Sequence, residues 1–310
     1  MKIIFFGNSQ FSMVPLQKMI ESFEVVAVVT APDSVVGRGQ QKSRFNPIKE
    51  LALQHNIPIL QPAKLKNNTN FHQELRGFNA DLHIIVSYGK IIPKDLIEIP
   101  KYNTINLHSS LLPKLRGAAP IQYALWQGLT QTGNTVQFIS EGMDEGDIID
   151  QSMVNIDPDD NYTILEQKLT LNGAELLKQS ILKIQANIVT PIPQNHNEAT
   201  YTKLISKEDG IVYFSMSADE IYNAFRALKE KPGIFLPLEL GNIKIIECEL
   251  HPLANSNIEG EILAIENNNI IVSCYENCIS LKIIQAPNKK PLSGKDFVNG
   301  NRLKIGSILK

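Results

Sequence analysis

Short β-rich apolar runs alternate with amphipathic stretches through the first half of the chain, and this alternation limits the fold more than any other feature. The runs at 3–6, 25–30, 82–87 and 104–107 are separated by helix-like stretches at 13–21, 47–54, 70–78 and 121–127. Parallel strands need a crossover between them, usually a helix, so the pattern predicts βαβ units around a mostly parallel, Rossmann-like sheet. Runs at 136–139 and 148–154 extend that sheet, and an amphipathic stretch at 164–184 reads as a long closing helix. These elements define an α/β domain over residues 1–189. The segment T-P-I-P-Q-N-H-N-E-A-T, 190–200, is polar, proline-bearing and aperiodic, which predicts a linker over 190–207. Beyond it the class changes. A helix near 218–228 is followed by short β runs at 243–248, 260–265, 270–272 and 279–284, broken by N-N-N and Y-E-N turns. The spacing predicts a smaller C-terminal β-barrel of OB-like type over 208–310.

A length of 310 residues, with 43% hydrophobic and 20% charged, is enough for two domains that each bury a core. No apolar run is long enough to span a bilayer, and M-K-I-I-F-F-G-N-S reaches glycine and polar residues too early for a signal peptide. A soluble cytoplasmic protein without a membrane partner is therefore expected. The odd cysteine count, Cys248, Cys274 and Cys278, suits a reducing compartment. Those cysteines and His251 could be drawn as a zinc set, but Y-E-N between the last two reads as a hairpin turn, so no metal is expected. The net charge of −2 argues against bulk capture of nucleic acid, yet its distribution is uneven. Residues 208–281 hold 4 basic and 12 acidic groups, giving −8, whereas 282–310 hold 7 basic and 1 acidic, giving +6.

Site chemistry concentrates in N-L-H-S-S-L-L-P-K-L-R-G-A-A-P-I-Q, 106–122. Asn106 and His108, two apart in a strand, point to the same face where the strand runs out into a loop, and open α/β sheets place ligands at such carboxyl ends. Pro113, Gly117 and Pro120 stiffen the loop that follows, with Pro120 placed to open a helix. A second cluster, G-M-D-E-G-D at 142–147, offers Asp144 and Asp147 as partners for the imidazole, and the residues alone do not choose between them. An aspartate there would orient the ring and favour imidazolium over imidazole. The single glycine in F-G-N-S at 6–9 argues against a dinucleotide site.

The stretch 106–122 resembles the signature of the 10-formyltetrahydrofolate-dependent formyltransferases, in which an Asn, a His two positions on and a downstream Asp form the catalytic trio. The resemblance implies that Asn106, His108 and Asp144 are that trio, because G-M-D-E-G-D is similar to the family's G-x-D-x-G-D loop. It implies folate contact by Ser110, Leu111, Leu112 and Pro113, and by Val86, Tyr88 and Gly89 in V-S-Y-G-K-I-I-P, 86–93. Similarity extends through A-P-D-S-V-V-G-R-G at 31–39, A-T-Y-T-K-L-I-S-K-E-D-G at 199–210 and Q-A-P-N-K-K-P-L-S-G-K-D-F-V-N-G at 285–300. These blocks are similar to the branch of the family that acts on initiator methionyl-tRNA. They imply 10-formyltetrahydrofolate as co-substrate, tRNA contact by Arg38, Lys42, Arg44, Lys289 and Lys290, no metal, and a monomeric enzyme. An amino-sugar formyltransferase or a hydrolase releasing formate would share Asn-x-His and Asp, and so differs by acceptor rather than by trio.

Overall fold

The computed structural model describes residues 1–36, 42–44 and 46–310, with the backbone alone over 34–36 and 42–44. Among these residues the first compact unit, 1–120, 131–155 and 164–202, is built on a seven-stranded sheet. Its order is Ile148–Asn155, Gln131–Phe138, Thr104–His108, Leu82–Val86, Lys2–Gly7, Glu24–Val29, Ile59–Leu60. The five strands from Thr104–His108 to Ile59–Leu60 run parallel, and Gln131–Phe138 runs antiparallel to both of its neighbours.

Residue alternation explains why the central strands read as continuous apolar runs. Ile4 and Phe6 enter a core cluster with Val29, Leu75, Ile85 and Leu96, while Ile3 and Phe5 point to the opposite face and are equally buried. Both faces of this parallel sheet are therefore covered. The crossover helices start where caps demand. The Asn46 side chain accepts from Ile48 N at 3.0 Å ahead of Pro47–Gln54, and Asn68 accepts from Phe71 N at 3.2 Å ahead of Thr69–Gly77. From Lys2–Gly7 the chain builds first toward Glu24–Val29 and later toward Leu82–Val86, so the order reverses between these two strands. At such a switch point the loops after the strands open a crevice.

Buried His83 on Leu82–Val86 has a measurable consequence. Burial lowers its pKa to about 4, and its Nε2 finds no hydrogen-bond partner among the described residues. The folded state thus prefers the neutral ring, so its contribution is complete above the unfolded value of about 6.5 and is lost as pH falls through that value toward 4. Between about pH 7 and about pH 4 the intact chain should lose up to about 3 kcal/mol of urea-measured stability that His83→Leu does not lose. Equal losses in both proteins would refute this.

The second unit comprises 121–130, 156–163 and 203–310. Its antiparallel sheet has the order Ile234–Leu238, Gly241–His251, Cys278–Gln285, Asn269–Ser273, Ile262–Glu266, with Leu292–Ser293 added to Cys278–Gln285. The helix Ala218–Leu228 opens with a capping box between Ser217 and Glu220 and packs on this sheet. Residues 121–130 and 156–163, expected in the first domain, group with this unit. The Arg226 guanidinium donates to the Asp157 and Asp160 carbonyls at 3.4 and 3.5 Å. Cys274 and Cys278 flank the Y-E-N turn, and burial pushes the Cys274 thiol up to about 12, which leaves it inert.

The expected linker is largely bound to the first unit. Ile192 bridges Ile148, Arg116 N donates to Thr200 O at 2.8 Å, and Tyr201–Thr202 pairs in parallel with Arg116–Gly117. Prolines and polar residues there satisfy the loops of the sheet rather than spacing two bodies.

Candidate active site

Asn106 and His108 occupy the end of Thr104–His108, and the connection after Gln131–Phe138 carries Asp144 across to them. The His108 ring is 7% exposed. Its Nε2 lies 2.9 Å from the Leu115 carbonyl, which can only accept, so Nε2 carries a hydrogen and donates. That leaves Nδ1 as the ring atom whose protonation can change, and it faces Asp144 Oδ2 at 3.6 Å. The distance suits an ion pair and is too long for a hydrogen bond. Asn106 Nδ2 lies 3.5 Å from Asp144 Oδ1. An amide donor, an imidazole nitrogen and a carboxylate thus face one another.

The carboxylate is held by donors on both oxygens. Gly117 N donates to Oδ2 at 2.8 Å and Gln137 Nε2 donates to Oδ1 at 3.1 Å. Asp144 itself has φ of 53°, in the left-handed region that is costly for a residue with a Cβ. Gly117 has φ of 99°, and an added Cβ would come within 2.5 Å of the Thr202 carbonyl, so only glycine presents its N–H to Asp144 here. Asp147, the other candidate, is exposed, and its carbonyl is spent on Phe138 N at 3.0 Å.

Behind the trio lies a network that the sequence did not reveal. Arg116 is fully buried, and its guanidinium donates to Gln194 Oε1 at 3.0 and 2.7 Å, to Tyr201 Oη at 3.1 Å and to His196 Nδ1 at 3.3 Å, with Glu145 at 3.4 Å. Gln194, 6% exposed, donates to the carbonyls of Asp144 and Gly146 at 2.8 and 2.7 Å. Arg116 stood within the recognised stretch, but Gln194 and Gln137 carried no local signal.

The expected folate residues divide. Val86, Tyr88, Ser110 and Leu112 bury their side chains, whereas Leu111 and Pro113 are half-buried and Gly89 is exposed. Tyr88 packs edge-on against Phe6 in the core, and burial pushes its phenol up to about 12. Ser110 Oγ donates to the Lys114 carbonyl at 2.6 Å, which braces the loop. The Asn8 side chain reaches across the switch point, donating to the Tyr88 carbonyl and accepting from Thr30 Oγ1 at 2.9 Å and Ala31 N at 2.6 Å. That polar bracket lies beside 86–89.

The expected tRNA residues lie apart in the chain. Arg38 lies outside the described residues. Lys42–Arg44 pairs antiparallel with Ser34–Val36, where Val35 and Val36 favour extended backbone. Lys289 and Lys290 are exposed in the second unit, in the turn before Leu292–Ser293. Among the described residues no cluster of three or more His, Cys, Asp or Glu side chains could hold a metal ion, and no helix is long and apolar enough to cross a membrane.

Known proteins resemble this chain along nearly its whole length. The formyl transferase model matches residues 1–181, and the formyl transferase C-terminal domain model matches 204–302. A methionyl-tRNA formyltransferase of Caldicellulosiruptor saccharolyticus is 43% identical over 313 residues and 100% of both chains. Another, from a Sulfurihydrogenibium species, is 42% identical over 308 residues and 99% of each. Among solved structures, an N-formyltransferase from Helicobacter canadensis, in complex with folinic acid and dTDP-3-aminofucose, has the same fold. Its TM-score is 0.67 at 22% identity, over 91% of this chain and 98% of that one. With the Asn-x-His pair and its aspartate assembled at the carboxyl end of a parallel sheet, and with both family domains matched in order, the chain belongs to the formyl transferase family.

Proposed function

We propose that the chain transfers the formyl group of 10-formyltetrahydrofolate to the free α-amine of methionine on initiator methionyl-tRNA, giving formylmethionyl-tRNA for translation initiation. The observation that carries this reading is the convergence of Asn106 Nδ2 and His108 Nδ1 on the Asp144 carboxylate in a chain that aligns end to end with methionyl-tRNA formyltransferases. An α-amine titrates at about 7.7 to 8.0 in model peptides, so a neutral fraction is available near neutrality. The amine attacks the formyl carbon, a C–N bond forms, and negative charge develops on the formyl oxygen. Asn106 Nδ2–H and a protonated His108 Nδ1 donate to that oxygen. Asp144 holds the ring and receives the proton shed by the attacking nitrogen. Cleavage of the C–N10 bond with proton transfer to N10 then releases tetrahydrofolate.

In this reading the unit of residues 1–120, 131–155 and 164–202 is the catalytic domain, and residues 208–310, within the second unit, form a tRNA-binding domain. Ser110 to Pro113 with Val86, Tyr88 and Gly89 border the folate. Arg38, Lys42 and Arg44 meet the acceptor end, and Lys289 and Lys290 touch phosphate. The enzyme acts as a cytoplasmic monomer. Its test is formyl transfer run in parallel with charged initiator tRNA, charged elongator tRNA and no acceptor. Selective formylation of the initiator species is expected. Formate release in every tube would instead indicate a hydrolase, and silence in all three would point to an amino-sugar acceptor.

A further inference from the structure

We infer that Gln194 is a positioning residue for Asp144, an inference that rests on the formyl-transfer reading for its kinetic consequence but on geometry for its existence. Its carboxamide lies between a buried cation and the catalytic loop. On one side Oε1 accepts the two-pronged fork of Arg116, at 3.0 and 2.7 Å. On the other side Nε2 directs two hydrogens at three acceptors: the Asp144 carbonyl at 2.8 Å, the Gly146 carbonyl at 2.7 Å and Gln137 Oε1 at 3.1 Å. The charge on Arg116 polarises the amide and strengthens its donors.

The three acceptors all bear on one carboxylate. Gln137 orients its own Nε2 toward Asp144 Oδ1 at 3.1 Å, and it does so because its Oε1 is occupied by Gln194. The Asp144 backbone sits at φ 53°, which a non-glycine residue keeps only when its surroundings over-determine it. Two carbonyls of the loop, at 144 and 146, are pinned by the same nitrogen, so the left-handed turn is closed from behind. Gln194 is 50 residues from Asp144 along the chain, in the segment that reads as a linker, and it is nine-tenths buried with its whole carboxamide engaged. A residue used only to fill space would not require an amide with a donor end on the catalytic loop and an acceptor end on a cation.

The test uses the intact chain, Gln194→Leu and Gln194→Glu, each alone and in an Asp144→Asn background. Glutamate retains acceptors for the Arg116 fork and removes the donors to the loop, so it separates loss of positioning from loss of the buried cation's partner. With methionyl-tRNA as acceptor, either variant should lower kcat by about 10- to 100-fold, the cost of sub-ångström misplacement, with KM for 10-formyltetrahydrofolate changed far less. In the Asp144→Asn background the further loss should be no more than about twofold, since groups that act through one another are not additive. Parental kcat in a folded variant, or an equal loss in both backgrounds, would overturn the inference. Amide exchange over 143–147 should rise about tenfold in Gln194→Leu, and unchanged exchange would overturn it too. If the intact chain itself transfers no formyl group, the proposed function fails, and the exchange result alone decides whether Gln194 holds the loop.

Discussion

Asp144→Asn is expected to lower formyl transfer by about 10²- to 10⁴-fold while the chain stays folded. The reason is stereochemical as well as electrostatic. Oδ2 receives the Gly117 N–H, and Oδ1 receives the Gln137 amide with Asn106 Nδ2 nearby, so both oxygens face donors. Whichever way an asparagine turns, its NH2 meets another donor. The carboxylate charge opposite His108 Nδ1 also disappears. Steady-state kinetics with 10-formyltetrahydrofolate and methionyl-tRNA would check this, since the loss should fall on kcat. Near-parental kcat would remove Asp144 from the reaction.

Arg116→Met should cost the first unit about 2–5 kcal/mol, the largest stability loss expected from one substitution near the site. Methionine replaces much of the volume but none of the five donors. Gln194 Oε1 then lies buried without a partner, and Tyr201 Oη and His196 Nδ1 lose their donor. Glu145 is partly exposed and can be solvated, so the expected cost comes from the orphaned amide rather than from a stranded charge. Hydrogen exchange on Thr104–His108 and Gln131–Phe138 provides the readout, because the single tryptophan, Trp126, belongs to the second unit. Unchanged protection in those strands would contradict the assignment of the network to the stability of this unit.

Much of the first unit was legible because its information is local. Strands such as Lys2–Gly7 and helices such as Pro47–Gln54 lie within a residue or two of the expected bounds, since each announces itself by period and cap. Asn106 and His108 were placed together by strand alternation alone. Less local features were missed. Ile234–Leu238 contains Pro237, which argues against a strand, yet it ends the path of its sheet, paired along its length with Gly241–His251 and met on its other side by an Ile211–Phe235 bridge, and such an edge position tolerates the missing N–H. Gly294–Gly300 is short and bounded by glycines, and its lysine-bearing surroundings read as a basic surface. The choice between Asp144 and Asp147 needed the resemblance, because a left-handed residue in a glycine-flanked loop does not declare which way its side chain turns. Gln194 was unreadable for a different reason. Its partners are separated from it by 48 to 78 residues, and no periodicity carries that information.

The central claim is that the Asn106, His108 and Asp144 cluster performs formyl transfer. Single-turnover transfer of labelled formyl from 10-formyltetrahydrofolate to methionyl-tRNA, compared between the intact chain and His108→Ala with folate binding measured alongside, tests it most directly. The expected result is labelled formylmethionyl-tRNA from the intact chain, and a rate lower by about 10²- to 10³-fold in the variant with folate binding retained. Equal rates in the two proteins would contradict the account.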